Sequence, residues 1–283
     1  MRKHLLTLLI ISIFAAGLSV LLYPYAGEYV TALRQSRVVG AYRDTVAALD
    51  EEDCTGLLET ARTYNESLVG KRNRFILSED EWVEYESLLN FTEGGVIGTL
   101  EIGRIGVRLP IYHGAGESAL EMGIGHLEGS SLPVGGPGTH SILTGHRGLP
   151  SSILLTNMDR LSIGDTFALY VLGEILAYQV DRILVVEPDE LGSLIIVPGE
   201  DYCTLITCTP YGINTHRLLV HGHRTDPALL QSWEEPIFQV FSSVKIFDNL
   251  PAILIVLLLV AAARTALLVV RPKKIYGRGK KQR

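Results

Sequence analysis

Residues 204–220, which read TLITCTPYGINTHRLLV, have the pattern of two β-strands joined by a turn. β-Branched residues lead up to Cys208, and a loop rich in Pro, Gly and Asn follows before a second strand begins near Arg217. A hairpin of this kind brings the ends of its two strands together. We therefore expect Cys208 and Arg217 to lie close to each other at one mouth of a β-barrel.

Short β-rich runs of the same kind follow one another from Gly94 onward, separated by clusters of Gly, Pro and Asp. Regularly spaced short strands with such punctuation predict an antiparallel-rich barrel or sandwich, so the fold class is mainly β. The predicted strands cover residues 96–102, 106–112, 140–144, 166–172, 175–186, 193–197, 203–207 and 217–222.

Helical patterns precede these strands. Residues 28–49 carry apolar side chains at near-helical spacing. We expect Asp53 to cap a second helix that stops at Gly70, and a short third helix to lie around residues 82–89. The barrel is thus predicted to carry helices on its N-terminal side.

Charge is divided sharply along the 283 residues. The chain ends, 1–23 and 249–283, contain basic residues and no acidic ones, whereas 24–248 holds 15 basic and 31 acidic residues, a net charge of −16. So acidic a middle region argues against a nucleic-acid-binding protein. The 47% apolar content excludes intrinsic disorder, and three cysteines are too few for a disulfide scaffold.

Two apolar segments separate these charged regions. Leu5 to Tyr23 is an uncharged run of 19 residues, close to the roughly 20 that cross a bilayer as a helix. Ala252 to Val270 is a second run, interrupted by Arg264. Basic residues lie between each apolar run and the nearer end of the chain. The positive-inside rule therefore places both chain ends in the cytoplasm. The alternative for the first run is a cleaved signal peptide.

These patterns predict a linear organisation with the middle region outside the cell. Its parts are a cytoplasmic N-terminus (1–4), a transmembrane signal anchor (5–23), an extracytoplasmic helical region (24–93), a catalytic β-barrel (94–224), a linker (225–249), a second transmembrane helix (250–270) and a basic cytoplasmic tail (271–283).

Three side chains have the chemistry of a cysteine-dependent acyl transferase. Cys208 ends a predicted strand, and His146 stands between glycines at the end of another. A thiolate is the nucleophile in such reactions, and an imidazole accepts or returns its proton. The Arg217 guanidinium supplies a donor for the oxyanion. His221 and His223 face the same way on a strand, but no further ligands accompany them, so no metal or cofactor is predicted.

At these residues the sequence resembles the sortases, the membrane-anchored cysteine transpeptidases of Gram-positive surfaces. Their nucleophile signature, Thr-Leu-x-Thr-Cys, matches 204–208, and an arginine follows nine residues later. The class C, pilus-assembling branch is most similar, through segments 109–114, 144–150 and 208–217. The resemblance implies a closed barrel of about eight strands, with Cys208 as nucleophile, His146 as acid/base and Arg217 as the oxyanion-stabilising residue.

The resemblance also implies a reaction and its partners. Class C sortases cleave Leu-Pro-x-Thr-Gly-type C-terminal sorting signals of pilin or surface-protein substrates and join the product to a lysine of another pilin subunit. A Gram-positive cell membrane is the implied location. Three alternatives remain open: a housekeeping-type sortase acting on cell-wall precursor, a membrane-anchored cysteine peptidase, and a catalytically inactive surface scaffold.

Class C sortases generally carry a lid with an Asp-Pro-aromatic motif before the barrel. The matching segment is Ser78 to Trp82, where Asp80 and Trp82 are present and Glu81 replaces the proline. We expect this segment to be a lid, with Asp80 facing Arg217 and Trp82 covering Cys208. The alternative is an acidic first helical turn, which the helix dipole favours.

Overall fold

The computed structural model describes residues 2–92, 94–148 and 154–230. Its helices are Arg2–Ala48 (α1), Glu51–Ser67 (α2), Glu79–Ser87 (α3) and Glu117–Met122 (α4). Its strands are Val96–Ile102 (β1), Val107–His113 (β2), Ile124–His126 (β3), Thr139–Thr144 (β4), Thr166–Val171 (β5), Glu174–Val186 (β6), Asp201–Thr209 (β7) and His216–Arg224 (β8).

The eight strands close into one barrel in the order β1-β2-β3-β4-β7-β8-β6-β5. The β2–β3 and β4–β7 pairs are parallel, and the other pairs are antiparallel. Side chains alternate between the interior and the outer face along each strand. On β7, for example, Cys203 and Leu205 belong to the main core cluster, whereas Ile206 packs in a separate cluster.

The helices α2 and α3 share the main core with the barrel. Leu58 and Leu68 of the α2 region and Tyr85 of α3 are buried in the same cluster as the interior strand residues. Asn65 is also buried, and its side chain makes two hydrogen bonds with the backbone of Leu132. Its Nδ2 donates to the Leu132 carbonyl oxygen at 3.0 Å, and its Oδ1 accepts from the Leu132 N–H at 2.6 Å. These contacts hold the helical region against the barrel.

The predicted closed barrel with N-terminal helices is confirmed, with two strand errors. The expected strand at 193–197 is wrong: residues Gly192–Leu194 form a short 3₁₀ turn. The three-residue strand β3 was not predicted. Helix α2 also begins earlier than expected, because Asp50 is its N-cap and accepts a hydrogen bond from the backbone N–H of Asp53 at 2.8 Å.

The predicted first span, 5–23, lies within α1. Within the described ranges, no helix is long and apolar enough to cross a membrane. The predicted second span, 250–270, and the basic tail, 271–283, lie outside the described residues.

Candidate active site

The β7–β8 hairpin positions Cys208 and Arg217. The two residues are direct antiparallel partners, which places their Cα atoms within about 5.5 Å of each other. Cys208 shares the outer face of β7 with Ile206, because the two are separated by one residue. The Cys208 thiol is free and its residue is partly exposed, so it is open to a reagent from outside the barrel.

His146 follows the neighbouring strand at the same end of the barrel. Thr144 of β4 pairs in parallel with Ile206, so His146 and Cys208 each lie two residues beyond a paired position. Gly145, which precedes His146, donates its N–H to the carbonyl oxygen of Ile206 at 3.0 Å. The carbonyl oxygen of Gly145 accepts a hydrogen bond from Thr207 Oγ1 at 2.8 Å. These bonds hold the histidine segment against the cysteine strand.

The His146 side chain is mostly enclosed and faces α4. Its Nε2 atom is buried without a hydrogen-bond partner among the described residues. The nearest carboxylate oxygen recorded is Glu117 Oε1, 3.7 Å away, and the Glu117 side chain is 77% exposed. At that separation the interaction is electrostatic rather than a hydrogen bond, so no described residue uses the hydrogen-bonding capacity of Nε2.

The guanidinium of Arg217 remains at the hairpin mouth. Its Nη1 donates to the carbonyl oxygens of His216 at 3.2 Å and Asn214 at 3.4 Å. Both bonds are to its own loop, and no ion pair with an acidic side chain is recorded for Arg217 in the described part of the chain. A guanidinium with unused donors can bind a developing oxyanion.

A second arginine, Arg147, lies directly beside His146. Its side chain is only 7% exposed. The guanidinium donates to Asp159 Oδ2 at 2.7 Å and to Thr209 Oγ1 at 3.3 Å, and it lies 6.0 Å from the ring centre of Tyr211. This cluster joins the loop after β4 to the loop after β7.

An apolar strip on the outer face of the barrel leads to Cys208. We define the outer strip as Ile142, Ile206 and Leu219, on β4, β7 and β8. Leu194 and the half-buried Phe75 belong to the same apolar cluster. Because Cys208 continues the same row of β7 as Ile206, the thiol lies next to this apolar cluster, in which Phe75 is half-buried.

Arg74 fastens the segment that carries Phe75. Its Nη1 donates to the carbonyl oxygen of Gly129 at 3.2 Å, and its Nη2 donates to that of Leu194. Burial lowers the pKa of Arg74 to about 10. A Cβ on Gly129 would lie 1.9 Å from the Arg74 carbonyl oxygen, so only glycine allows this close approach.

The predicted lid residues occupy a different place. Ser78 caps α3 in a capping box with Glu81, so Asp80 and Trp82 belong to the first turn of an ordinary helix. Trp82 packs against Tyr85, with ring centres 5.8 Å apart, and no pairing of Asp80 with Arg217 occurs among the described residues. The segment therefore has the form of the helical alternative, and Phe75, not Trp82, belongs to the apolar cluster that contains Ile206.

Cys203 and His140 have structural environments. Cys203 is fully buried, and burial raises the pKa of its thiol. His140 lies between the Ile195 carbonyl oxygen, 2.8 Å from Nδ1, and Thr204 Oγ1, 2.7 Å from Nε2. Burial lowers the pKa of His140 to about 4, so this imidazole is neutral at pH 7.

His221 and His223 do share one face of β8. His221 Nδ1 lies 2.6 Å from Asp181 Oδ1, and His223 Nδ1 lies 3.6 Å from Asp181 Oδ2. Among the described residues, no group of three or more His, Cys, Asp or Glu side chains is arranged to hold a metal ion.

Sequence reasoning did not single out Arg74, Phe75, Arg147 or Asp159. Two of them carried a usable signal. Phe75 is an isolated aromatic residue in the polar stretch 71–80, and Arg147 lies inside the segment around His146. For Asp159 and Arg74 the sequence offers no such signal, because their partners are distant along the chain.

Comparison with known proteins agrees with this geometry. The sortase-domain family model matches residues 100–225. A curated sortase A from Streptococcus agalactiae is 27% identical over 150 residues, covering 52% of this chain. The chain spans 60% of the length of that relative.

Solved structures give a longer match. Sortase C1 from Streptococcus agalactiae is 47% identical, with a TM-score of 0.64, covering 67% of this chain and 98% of that one. Sortase C from Clostridium perfringens, solved with the C-terminal cell wall sorting motif, is 42% identical, with a TM-score of 0.60 and coverage of 68% and 99%. Sortase C-1 from Actinomyces oris is also 42% identical, with a TM-score of 0.58 and coverage of 62% and 99%.

Proposed function

Because this chain belongs to the sortase family of cysteine transpeptidases, we propose that it cleaves a C-terminal sorting signal and transfers the new acyl end to an amine. The observation that carries this proposal is the arrangement at one barrel mouth. A partly exposed thiol, Cys208, lies opposite Arg217 and beside the segment that holds His146.

The reaction follows from the roles proposed for these three side chains. The Cys208 thiolate attacks the Thr–Gly carbonyl of a Leu-Pro-x-Thr-Gly-type signal, and Arg217 donates to the resulting oxyanion. His146 gives a proton to the departing glycine amine, which leaves a thioester on Cys208. A lysine amine then attacks the thioester, His146 takes up its proton, and an isopeptide bond replaces the thioester.

We propose pilin subunits as the substrates and the lysine donors. The support is the similarity to sortases C, at 42–47% identity over nearly the full length of the solved chains. Housekeeping attachment to cell-wall precursor is the alternative. A reaction with purified pilin would give a ladder of covalent multimers, whereas attachment to cell-wall precursor would give a single modified species.

We also propose that the outer strip receives the apolar part of the sorting signal. Ile142, Ile206 and Leu219 offer an apolar surface that ends at Cys208. Phe75 packs in the same cluster, and we propose that it covers these residues in the free enzyme and leaves before a peptide binds there. The lid function expected of residues 78–82 is therefore assigned to the Arg74–Phe75 segment.

The proposed setting is a Gram-positive cell membrane with the barrel outside. The support is the uncharged run 5–23, the apolar run 252–270 and the basic flanks of both. Protease treatment of intact protoplasts should then remove the barrel, and Lys280 should react with an impermeant amine reagent only after lysis. Reaction of Lys280 from outside would contradict two spans.

One experiment separates transpeptidation from simple peptide hydrolysis. The purified chain is mixed with a Leu-Pro-x-Thr-Gly peptide and a lysine-containing acceptor peptide, and the products are identified by mass. A cross-linked product that needs both Cys208 and the acceptor supports a transpeptidase. Hydrolysis alone at saturating acceptor supports a cysteine peptidase, and activity in Cys208→Ala contradicts the proposed nucleophile.

A further inference from the structure

Arg147 connects the two loops that follow the catalytic strands. The guanidinium lies between Asp159, on the 3₁₀ turn Met158–Arg160, and Thr209, at the end of β7. The side chain is 93% buried, and its hydrogen bond to Asp159 compensates the buried charge. Arg147 is therefore part of the interior of the site rather than of its surface.

The sequence positions of these residues give the contact its significance. Arg147 directly follows His146, and Thr209 directly follows Cys208. The hydrogen bond from Arg147 to Thr209 Oγ1, at 3.3 Å, joins the two residues that come after the acid/base and the nucleophile. On the other side, Thr207 Oγ1 donates to the carbonyl oxygen of Gly145 at 2.8 Å, joining the two residues that come before them.

We propose that Arg147, held by Asp159, is a positioning residue that fixes the separation of the His146 imidazole and the Cys208 thiol. The inference rests on the proposed catalytic roles of those two residues. A planar guanidinium bonds Asp159 and Thr209 with separate N–H groups in a fixed geometry. A lysine ammonium keeps the positive charge but does not hold two donors in the same fixed geometry.

The position of an acid/base relative to its nucleophile affects the chemical step strongly. A displacement of about 1 Å costs up to about a hundredfold in rate. The imidazole also stabilises the thiolate when it is protonated, so a longer separation moves thiolate formation to higher pH. Loss of the Arg147–Thr209 bond should therefore lower kcat more than it changes KM.

The test uses a matched pair at Thr209. Thr209→Val keeps the shape and removes the hydroxyl, whereas Thr209→Ser keeps the hydroxyl. Two readouts are measured on the full chain: kcat and KM for a sorting peptide, and the pH profile of iodoacetamide alkylation at Cys208, located by peptide mass. Arg160→Met is the control, because it removes an exposed positive charge from the same turn as Asp159.

We expect Thr209→Val and Arg147→Lys to lower kcat by about tenfold or more, with KM within about twofold, and to move the alkylation midpoint to higher pH. Thr209→Ser and Arg160→Met should match the wild type. Wild-type kcat and pH profile in Thr209→Val would overturn the positioning role, even if Arg147→Lys fails to fold.

A Cys208→Ala variant keeps this test separate from the proposed function. Turnover in Cys208→Ala would overturn the nucleophile assignment on which the inference rests. Loss of turnover in Cys208→Ala, combined with full activity in Thr209→Val, would overturn the positioning role alone.

Discussion

Replacing Phe75 by alanine should uncover the outer strip. A fully buried phenylalanine contributes roughly 1.5–3 kcal/mol, so the half-buried ring of Phe75 contributes about 1 kcal/mol to the covered state. The Arg74 guanidinium lies 4.5 Å from the ring centre, a contact that adds about 0.5–1 kcal/mol. The closed state should lose about 2 kcal/mol in the variant, which shifts the opening equilibrium by roughly thirtyfold.

The assay compares peptide turnover with modification by a small reagent. When only the open state binds, the apparent affinity is reduced by the open fraction. We expect Phe75→Ala to raise kcat/KM for a sorting peptide by about tenfold or more. The increase in kcat/KM stops once most of the enzyme is in the open state. Iodoacetamide is small and Cys208 is already partly exposed, so its alkylation rate should change much less.

Asp80→Ala provides the matched control, because Asp80 is exposed on the first turn of α3. This variant should behave as the wild type. Unchanged peptide kinetics in Phe75→Ala would refute the assignment of Phe75 as the cover. Faster turnover in Asp80→Ala, with no change in Phe75→Ala, would return the lid to residues 78–82.

Three further predictions concern catalysis, packing and pH. Arg217→Ala should lower peptide kcat by about 10²–10³-fold, the usual cost of an oxyanion donor, while the unfolding midpoint stays unchanged. Asn65→Ala should lower the free energy of unfolding in urea by about 2–3 kcal/mol, because both backbone groups of Leu132 lose a buried partner. Burial lowers the pKa of His140 to about 4, so the unfolded chain takes up its proton first as the pH falls. The contribution of His140 to the free energy of unfolding should therefore be complete above pH 6.5 and fall by up to about 3 kcal/mol towards pH 4. His140→Gln should reduce the total decrease by that contribution and leave the part due to the buried His126, whose pKa is lowered to about 3.

Alternating patterns made most of the barrel predictable. The limits predicted for the strand at 96–102 match β1, and those of most other strands differ by one or two residues. The error at 193–197 has a physical cause. Leu194 made this segment look like a strand, but its side chain packs in the same cluster as the outer strip. The Ile195 carbonyl oxygen is bonded to His140 instead of to a neighbouring strand. β3 was missed because three residues are too few to show a period.

From local sequence patterns alone, without the family resemblance, the candidate site was predictable only where chain neighbours bring residues together. A hairpin fixes which of its residues face each other, and the structure pairs Cys208 with Arg217. The proposed cover could not be derived in this way, because Phe75 joins the cluster that contains Ile206 from a segment about 130 positions earlier. The family motif predicts a lid at Asp80 and Trp82, but the capping box of Ser78 and Glu81 starts a helix there.

The central claim is that Cys208 forms a thioester with the sorting signal. The full chain is incubated with a Leu-Pro-x-Thr-Gly peptide without an amine acceptor, quenched in acid and analysed by intact and peptide mass. We predict an added mass equal to that of the peptide through its threonine less one water, located on the fragment that contains Cys208 and absent from Cys208→Ala. Peptide cleavage without any such adduct, or an adduct that persists in Cys208→Ala, would contradict the claim.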